Sequence, residues 1–328
     1  MKNKKVLVTG AGGFIGSHLV QRLIGQGAEV RAMTHYRSSP DLHNLAFLSR
    51  EELEKIEVRK GNIEDPFFVR GCAEGVDYIF HLAALIAIPY SYVAPAAYVA
   101  TNISGTLNVL EAAKAEGVER MIHTSTSECY GSAQFTPMDE SHPLVGQSPY
   151  SASKISADKL VESYHRSFSM PVVTIRPFNT YGPRQSGRAI IPTIISQLIA
   201  NAPEIRIGST TPVRDFTFVT DTADGFIRGA LAEGVEGEVV NLGYGKGISI
   251  GELAKVLLEA VGRDIPIVSE QERLRPEKSE VVELVSNNSK ARDVLSWTPQ
   301  VEIRDGLSQT IDFIRENQNY FLSETYEI

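Results

Sequence analysis

Short runs of β-branched and other apolar residues recur through the first half of the chain, at Lys5–Thr9, Glu29–Thr34, Glu57–Arg59, Tyr78–His81, Arg120–Thr124 and Val172–Ile175. Between them lie stretches whose apolar positions repeat with helical spacing, such as FIGSHLVQRLI from Phe14 to Ile24 and the segment Val99–Glu116. Short apolar runs bounded by turn residues predict strands, and a 3.6-residue period predicts helices. Strands separated by helices imply right-handed βαβ crossovers and a parallel sheet covered on both faces. The expected fold class is therefore α/β, a doubly wound parallel sheet. After Pro177 the rhythm breaks, with Pro183, Pro192, Pro203 and Pro212 punctuating shorter elements. A strand at Glu238–Leu242, a helix at Ser249–Val261 and a terminal helix at Ile303–Asn317 remain legible. Residues 1–177 are expected to form one domain and residues 178–328 a smaller C-terminal substrate lobe, with part of 215–242 returning to the main sheet.

The 328 residues suffice for two domains, and a composition of 42% hydrophobic and 22% charged residues is ordinary for a globular protein. It excludes a disordered chain, a collagen-like fibre and a disulfide-stapled miniprotein. Thirty-two Lys and Arg against 40 Asp and Glu give a net charge of −8. A field of that sign repels polyphosphate backbones, so no nucleic-acid partner is expected. An anionic ligand must be met by local cations or backbone N–H groups. The two cysteines, Cys72 and Cys129, provide neither a disulfide framework nor C-x-x-C spacing, and no metal site is expected. The start, MKNKKVLVTG, runs directly into a strand, without the apolar stretch of a signal peptide. The apolar window Tyr78–Ala100 breaks at Pro89, short of the roughly 20 residues that span a bilayer. A cytoplasmic protein with no membrane partner is expected.

The segment Lys4–Gly16, KKVLVTGAGGFIG, places Gly10, Gly13 and Gly16 between the first strand and the first helix. One glycine permits the tight turn, one lets backbone approach a pyrophosphate, and one lets helix and strand pack closely. The phosphates would rest on the helix N-terminus, where unpaired N–H groups and the helix dipole favour negative charge. The pattern predicts a Rossmann-type dinucleotide site. An acid at the end of the second strand would receive the ribose 2′-hydroxyl of NAD. Between Arg31 and Ser39 there is none. Arg37 could meet a 2′-phosphate or serve as a solvated loop cation, so the residues by themselves leave NAD and NADP both open.

Tyr150 and Lys154 form Y-x-x-x-K at the head of a helical segment, SPYSASKISADKLVESYHRSF. The i, i+4 spacing puts both side chains on one face, about 5–6 Å apart at Cβ. A lysine ammonium there is expected to favour the phenolate and lower the tyrosine pKa toward the working range. Tyr150 could then take a hydroxyl proton while a nicotinamide takes the hydride. The strand Met121–Thr124 runs into Ser125-Thr126-Ser127-Glu128, and Thr126 offers a hydroxyl to the reacting oxygen. Glu128 is the informative residue. Simple hydride transfer needs no carboxylate, but removal of a carbon-bound proton beside a carbonyl does. The alternative reading has Glu128 capping a turn or pairing with a cation.

The glycine loop, His81-Leu82-Ala83-Ala84, Asn102 within TNISGTLNVLEAA, the TSTSECYG run, Tyr150 with Lys154, and Arg176-Pro177-Phe178-Asn179-Thr180-Tyr181-Gly182-Pro183 together resemble the extended short-chain dehydrogenase/reductases that act on nucleotide sugars. The likeness spans nearly the whole chain. The Thr126-Ser127-Glu128 triplet resembles that of GDP-mannose 4,6-dehydratases and of UDP-glucuronate decarboxylases, and PFNTYGPRQSGRAIIPTIISQ and RPEKSEV resemble the 4,6-dehydratases of legionaminic acid synthesis. What the resemblance implies is a 4,6-dehydratase acting on a GDP- or UDP-linked N-acetylglucosamine, with decarboxylation or 4-epimerisation as the alternative chemistries. It implies catalytic roles for Thr126, Ser127, Glu128, Tyr150 and Lys154. Where related enzymes carry an aspartic acid between the threonine and the glutamate, this chain has Ser127. NAD, tightly held and recycled, would contact Gly10, Gly13, Phe14, Ile15, Arg37, Asn62, Ile63, Leu82, Ala83, Ala84, Tyr150 and Lys154. Asn179, Arg184, Arg214 and Arg275 would meet the sugar nucleotide, with Arg188 and Arg273 as weaker candidates. Arg37-Ser38-Ser39 resembles a loop that reaches a neighbouring subunit's cofactor, which implies a homodimer or homotetramer.

Overall fold

A computed structural model describes residues 1–38, 41–270 and 280–322. Strands β1 (Lys5–Thr9), β2 (Glu29–Thr34), β3 (Ile56–Lys60), β4 (Tyr78–His81), β5 (Arg120–Thr124) and β6 (Val172–Pro177) belong to one parallel sheet. Four further strands follow in the chain, β7 (Asn179–Tyr181), β8 (Ile205–Ile207), β9 (Val213–Phe218) and β10 (Val239–Leu242). The last of these completes the main sheet beside β6, giving seven strands in the order β10-β6-β5-β4-β1-β2-β3. Strands in the middle of the sheet are buried along their whole length, as β4 and β6 are, because helices cover both faces. The edge strand β3, IEVRK, instead alternates half-buried and exposed residues.

The order has a functional consequence. The chain lays β2 and β3 to one side of β1 and then crosses to place β4 on the other side. Loops leaving the carboxyl ends of β1 and β4 therefore diverge, and the crevice between them is the usual ligand position of such sheets. The glycine loop leaves β1, and Leu82–Ala84 leaves β4.

A smaller sheet is centred on β9, which pairs in parallel with β7 and β13 (Glu283–Leu284) and antiparallel with β11 (Gly247–Ser249). Strand β12 (Ile267–Ser269) pairs with β8. The helices Ile190–Ile199, Ile250–Val261 and Ile303–Glu316 enclose an apolar core with Tyr181, Phe216 and Phe218. Chain order and packing do not divide at one point. Ala223, Phe226, Ile227 and Ala230 of the helix Val219–Leu231, together with Trp297, pack into the core of the main sheet. The helical segment expected at Val99–Glu116 begins as a wider π turn over Val99–Ser104 and becomes an α-helix at Gly105–Glu116. Among the described residues, no helix is long and apolar enough to cross a membrane.

Candidate active site

The helix Phe14–Gly25 starts directly after the glycine loop, with Gly13 as its exposed N-cap. No side chain caps it and its first turn carries no acid, which leaves its N–H groups for an anionic ligand. Gly10 adopts φ +69°, and a Cβ there would stand 2.8 Å from the Ala83 nitrogen. A Cβ on Gly16 would stand 2.2 Å from the Gly10 carbonyl oxygen. The first glycine thus makes the turn and the approach to the β4 loop, and the third lets the helix lie against the loop. These features fit a dinucleotide pyrophosphate.

Thr9 links the two loops of the crevice. Its Oγ1 accepts from the Leu82 and Ala83 nitrogens, both at 3.2 Å, and lies 2.8 Å from His81 Nδ1. With two donors already pointing at it, the Thr9 hydroxyl donates to His81 Nδ1, so the imidazole proton sits on Nε2, facing Thr106 at 3.0 Å. Burial keeps His81 neutral, with its pKa well below the usual value. Asn102, in the π turn, accepts from the Leu85 nitrogen at 2.8 Å and donates to Ser153 Oγ at 2.9 Å. It therefore joins the β4 loop to the helix Pro149–Phe168, which carries Tyr150 and Lys154. Ile63 is buried beneath Gly105, whereas Asn62 and the residues His35–Ser38 that follow β2, Arg37 among them, lie at the surface. The nearest described carboxylate after β2, Asp41, accepts from the His43 nitrogen.

The helix Pro149–Phe168 begins at Ser148, whose side chain accepts from the Ser151 nitrogen, with Pro149 in the first turn. Tyr150 and Lys154 face inward, 7% and 4% exposed. Lys154 Nζ donates to the Thr124 carbonyl at 2.6 Å. Tyr150 shares a hydrogen bond with Thr126, and its ring meets Tyr98 edge to face at 6.2 Å. The expected lowering of the tyrosine pKa is corrected here. Burial raises it, the Thr126 hydrogen bond counteracts only part of that rise, and the Glu128 carboxylate adds to it. Spacing placed the lysine correctly on the tyrosine's face, but the ammonium is engaged by a strand carbonyl, and burial lowers its own pKa.

Beyond β5 the chain makes a short 3₁₀ turn, Ser127–Tyr130, capped by Thr126, whose Oγ1 accepts from the Glu128 nitrogen at 3.2 Å. One threonine therefore contacts both the tyrosine phenol and the turn that bears Ser127 and Glu128. Ser127 is buried and Glu128 half-buried. Thr126, Ser127, Glu128, Tyr150 and Lys154 are brought together.

The other expected residues are distributed differently. Asn179 on β7 and Arg214 on β9 lie in the same small sheet, and the Asn179 Oδ1 is buried without a partner among the described residues. Arg214 Nη1 donates to the Val213 carbonyl and Nη2 lies 3.4 Å from Glu280. Arg184 is not beside them in that sheet. Its guanidinium is buried against the first helix, donating to Gln21 at 2.8 Å. Arg188 begins no described contact with this group, and Arg273 and Arg275 lie outside the described residues.

Sequence reasoning passed over a buried polar cluster directly beneath the turn. Asp158 accepts from His123 Nε2 at 3.0 Å, from Ser125 Oγ at 2.6 Å and from Arg176 Nη2 at 2.7 Å. Burial works to raise the Asp158 pKa, but the His123 hydrogen bond and the Arg176 charge outweigh it and hold the carboxyl well below the usual range. A signal was present, since Asp158 follows Lys154 by four residues on the Tyr150 stripe.

A family model described as GDP-mannose 4,6 dehydratase matches residues 7–310. The chain is 33% identical over 324 residues to a dTDP-glucose 4,6-dehydratase of an Actinoplanes species, covering 97% of this chain and 99% of that one. It is 35% identical over 319 residues to a UDP-glucose 4-epimerase of Mycolicibacterium smegmatis, covering 95% and 98%. Among solved structures, the dTDP-glucose 4,6-dehydratase DesIV of Streptomyces venezuelae, with NAD bound, superposes with a TM-score of 0.86 at 30% identity, covering 96% and 98%.

Proposed function

From its membership of the GDP-mannose 4,6-dehydratase family, among the extended short-chain dehydrogenase/reductases, to which this chain belongs, we propose that it is a nucleotide-sugar 4,6-dehydratase using NAD. The family-level statement is that of a nucleotide-sugar dehydratase or epimerase. The observation that carries the finer reading is Glu128, held on a 3₁₀ turn whose cap, Thr126, also hydrogen-bonds Tyr150. An epimerase needs the tyrosine but has no use for a second group removing a carbon-bound proton. The substrate proposed is a GDP- or UDP-linked N-acetylglucosamine.

The glycine loop, the Leu82–Ala84 backbone and the uncapped helix at Phe14 would hold the dinucleotide, and the solved relative with NAD supports NAD as its identity. When bound, that group supplies a hydride acceptor for C4 of the sugar and returns the hydride to C6. Tyr150, hydrogen-bonded to Thr126, would take the C4 hydroxyl proton as its phenolate, a form that the Lys154 ammonium and the positive charge of a bound oxidised nicotinamide would have to favour against burial. Lys154, fixed by the Thr124 carbonyl, would supply a positive charge on the same helix face. The 4-keto group then acidifies the neighbouring C5–H, and Glu128 removes that proton. Water leaves from C6 with a proton returned by Glu128, because the Ser127 hydroxyl is too weak an acid to lead that step, and hydride return to C6 would be matched by a solvent-derived proton at C5. Asn179 and Arg214 would face the nucleotide diphosphate, a forked guanidinium suiting phosphate in a chain of net negative charge.

Incubation with each sugar nucleotide in deuterated water tests the reading by mass spectrometry. A dehydratase yields a product lighter by one water with deuterium at C5. An unchanged mass with C4 inverted makes it an epimerase, and carbon dioxide from UDP-glucuronate makes it a decarboxylase.

A further inference from the structure

The 3₁₀ turn that carries Ser127 and Glu128 is tied at both ends to one buried guanidinium. Arg176, on β6, is 3% exposed. At the front of the turn, its Nε donates to Ser125 Oγ at 3.3 Å. At the back, its Nη1 donates to the Tyr130 hydroxyl at 2.8 Å, and its guanidinium carbon lies 4.7 Å from the Tyr130 ring centre. Between the two, its Nη2 meets Asp158, which also receives Ser125 and His123.

Each partner is itself anchored. Ser125 continues the strand ladder, its nitrogen donating to the Ile175 carbonyl at 2.7 Å. The Tyr130 hydroxyl donates to Asn241 Oδ1 at 2.7 Å, and Asn241 stands opposite Arg176 in the β10–β6 register. Asn241 in turn donates its backbone nitrogen to Glu140 at 2.7 Å. Ser125, Tyr130, Asp158, Arg176 and Asn241 are all buried, so their mutual hydrogen bonds lie in a low-dielectric setting where each counts for more than at the surface. A buried ion pair is weak evidence for stability in general, since hydrophobic replacement is often neutral. Its geometry here is specific. A lysine in place of Arg176 could not reach three acceptors in one plane.

We propose that Arg176, paired with Asp158, is a positioning residue that staples the Ser127–Tyr130 turn and so fixes Glu128 against Tyr150. The inference rests on the reading of Glu128 as the second catalytic group and adds what holds it in place. Arg176 touches neither the sugar nor the dinucleotide in this account. It acts through Ser125 and Tyr130, the residues on either side of the Thr126–Cys129 segment.

The test is a double-mutant cycle with Arg176→Lys and Tyr130→Phe, made in the full chain. Tyr130→Phe keeps the ring and removes only the stapled hydroxyl, so it remains informative if Arg176→Lys folds poorly. Two measurements are read. The first is hydrogen–deuterium exchange of the amides in 127–131 and in the helix Pro149–Phe168. The second is kcat and KM for whichever sugar-nucleotide conversion the unaltered chain performs. The staple predicts faster exchange in the turn with the helix unchanged. It also predicts a kcat lower by roughly tenfold to a hundredfold with KM within twofold, as expected when a reacting group is misplaced, and a double variant no worse than Arg176→Lys alone. Unchanged exchange in the turn, equal loosening of the helix, a change confined to KM, or multiplicative losses in the double variant would each overturn it. Failure of the unaltered chain to release water would instead count against the proposed function, and the exchange rates still decide the staple.

Discussion

Lys154 Nζ stands 2.6 Å from the carbonyl oxygen of Thr124, the last residue of β5. That bond uses one of the three ammonium donors and ties the buried side chain to the end of the strand. In the proposed mechanism the lysine would serve as a fixed cation on the tyrosine's helix face.

Tyr150→Phe should lower C4 oxidation by about 10²–10⁴-fold, the usual span for a lost acid–base group, and Lys154→Met should do comparable damage. Because both are also expected contacts of NAD, retained NAD should fall as well, though less than for a change in the glycine loop. Single-turnover appearance of reduced nicotinamide, read alongside the amount of NAD retained on purification, checks both halves. Full-speed oxidation by Lys154→Met would contradict the role given to the charge.

Gly16→Ala should be damaging despite its size. The new methyl would stand 2.2 Å from the Gly10 carbonyl oxygen, a backbone atom that cannot move without distorting the turn. Overpacking of this kind costs about 1–3 kcal/mol, and here the cost falls on the phosphate loop. A lower melting temperature and loss of retained NAD are expected, with Gly25→Ala as a control because nothing lies within 4 Å of its added methyl.

Acid should destabilise the fold in two stages. His18 is pushed down to about 4, chiefly by burial and then by the Arg184 charge, against an opposing hydrogen bond to the Pro183 carbonyl. An unfolded histidine titrates near 6.5. A depressed histidine pKa stabilises the fold above the unfolded value, and that contribution is lost as the pH falls from about 6.5 toward 4. The shift corresponds to about 3 kcal/mol at most. His18→Gln should flatten the melting-temperature profile across that window. Asp158 acts lower down. Its depressed carboxyl stabilises the fold above the ordinary aspartate value of about 3.9, and that contribution disappears below it. Asp158→Asn should be less stable at neutral pH, with an uncompensated Arg176, yet show a shallower loss on further acidification. A profile for His18→Gln as steep as that of the unaltered chain between pH 6.5 and 4 would contradict the assignment.

The parts legible from sequence were those built from local patterns. Strands β1, β2, β4 and β5 have the bounds their apolar runs predict, because buried parallel strands need continuous apolar residues. The glycine loop and the Tyr150/Lys154 spacing were equally plain, each being a local geometry written in adjacent residues. Strands β7, β8, β11, β12 and β13, of two or three residues, were invisible because no period can be read in so short a span. The polar cluster under the Ser127–Tyr130 turn escaped for a different reason. His123, Asp158, Arg176 and Asn241 come from four separate elements, and only the strand register brings them together. The sign of the Tyr150 shift was misjudged because spacing reports neighbours but not burial.

The central claim is that the oxidised sugar loses its C5 proton to Glu128. Glu128→Gln keeps the size of the side chain and its place in the turn while removing the base. Given a sugar nucleotide that the unaltered chain dehydrates, the variant should form reduced nicotinamide at close to the normal rate, release no water and take up no solvent deuterium at C5. A variant that still delivers the 4-keto-6-deoxy product at the normal rate would contradict the account.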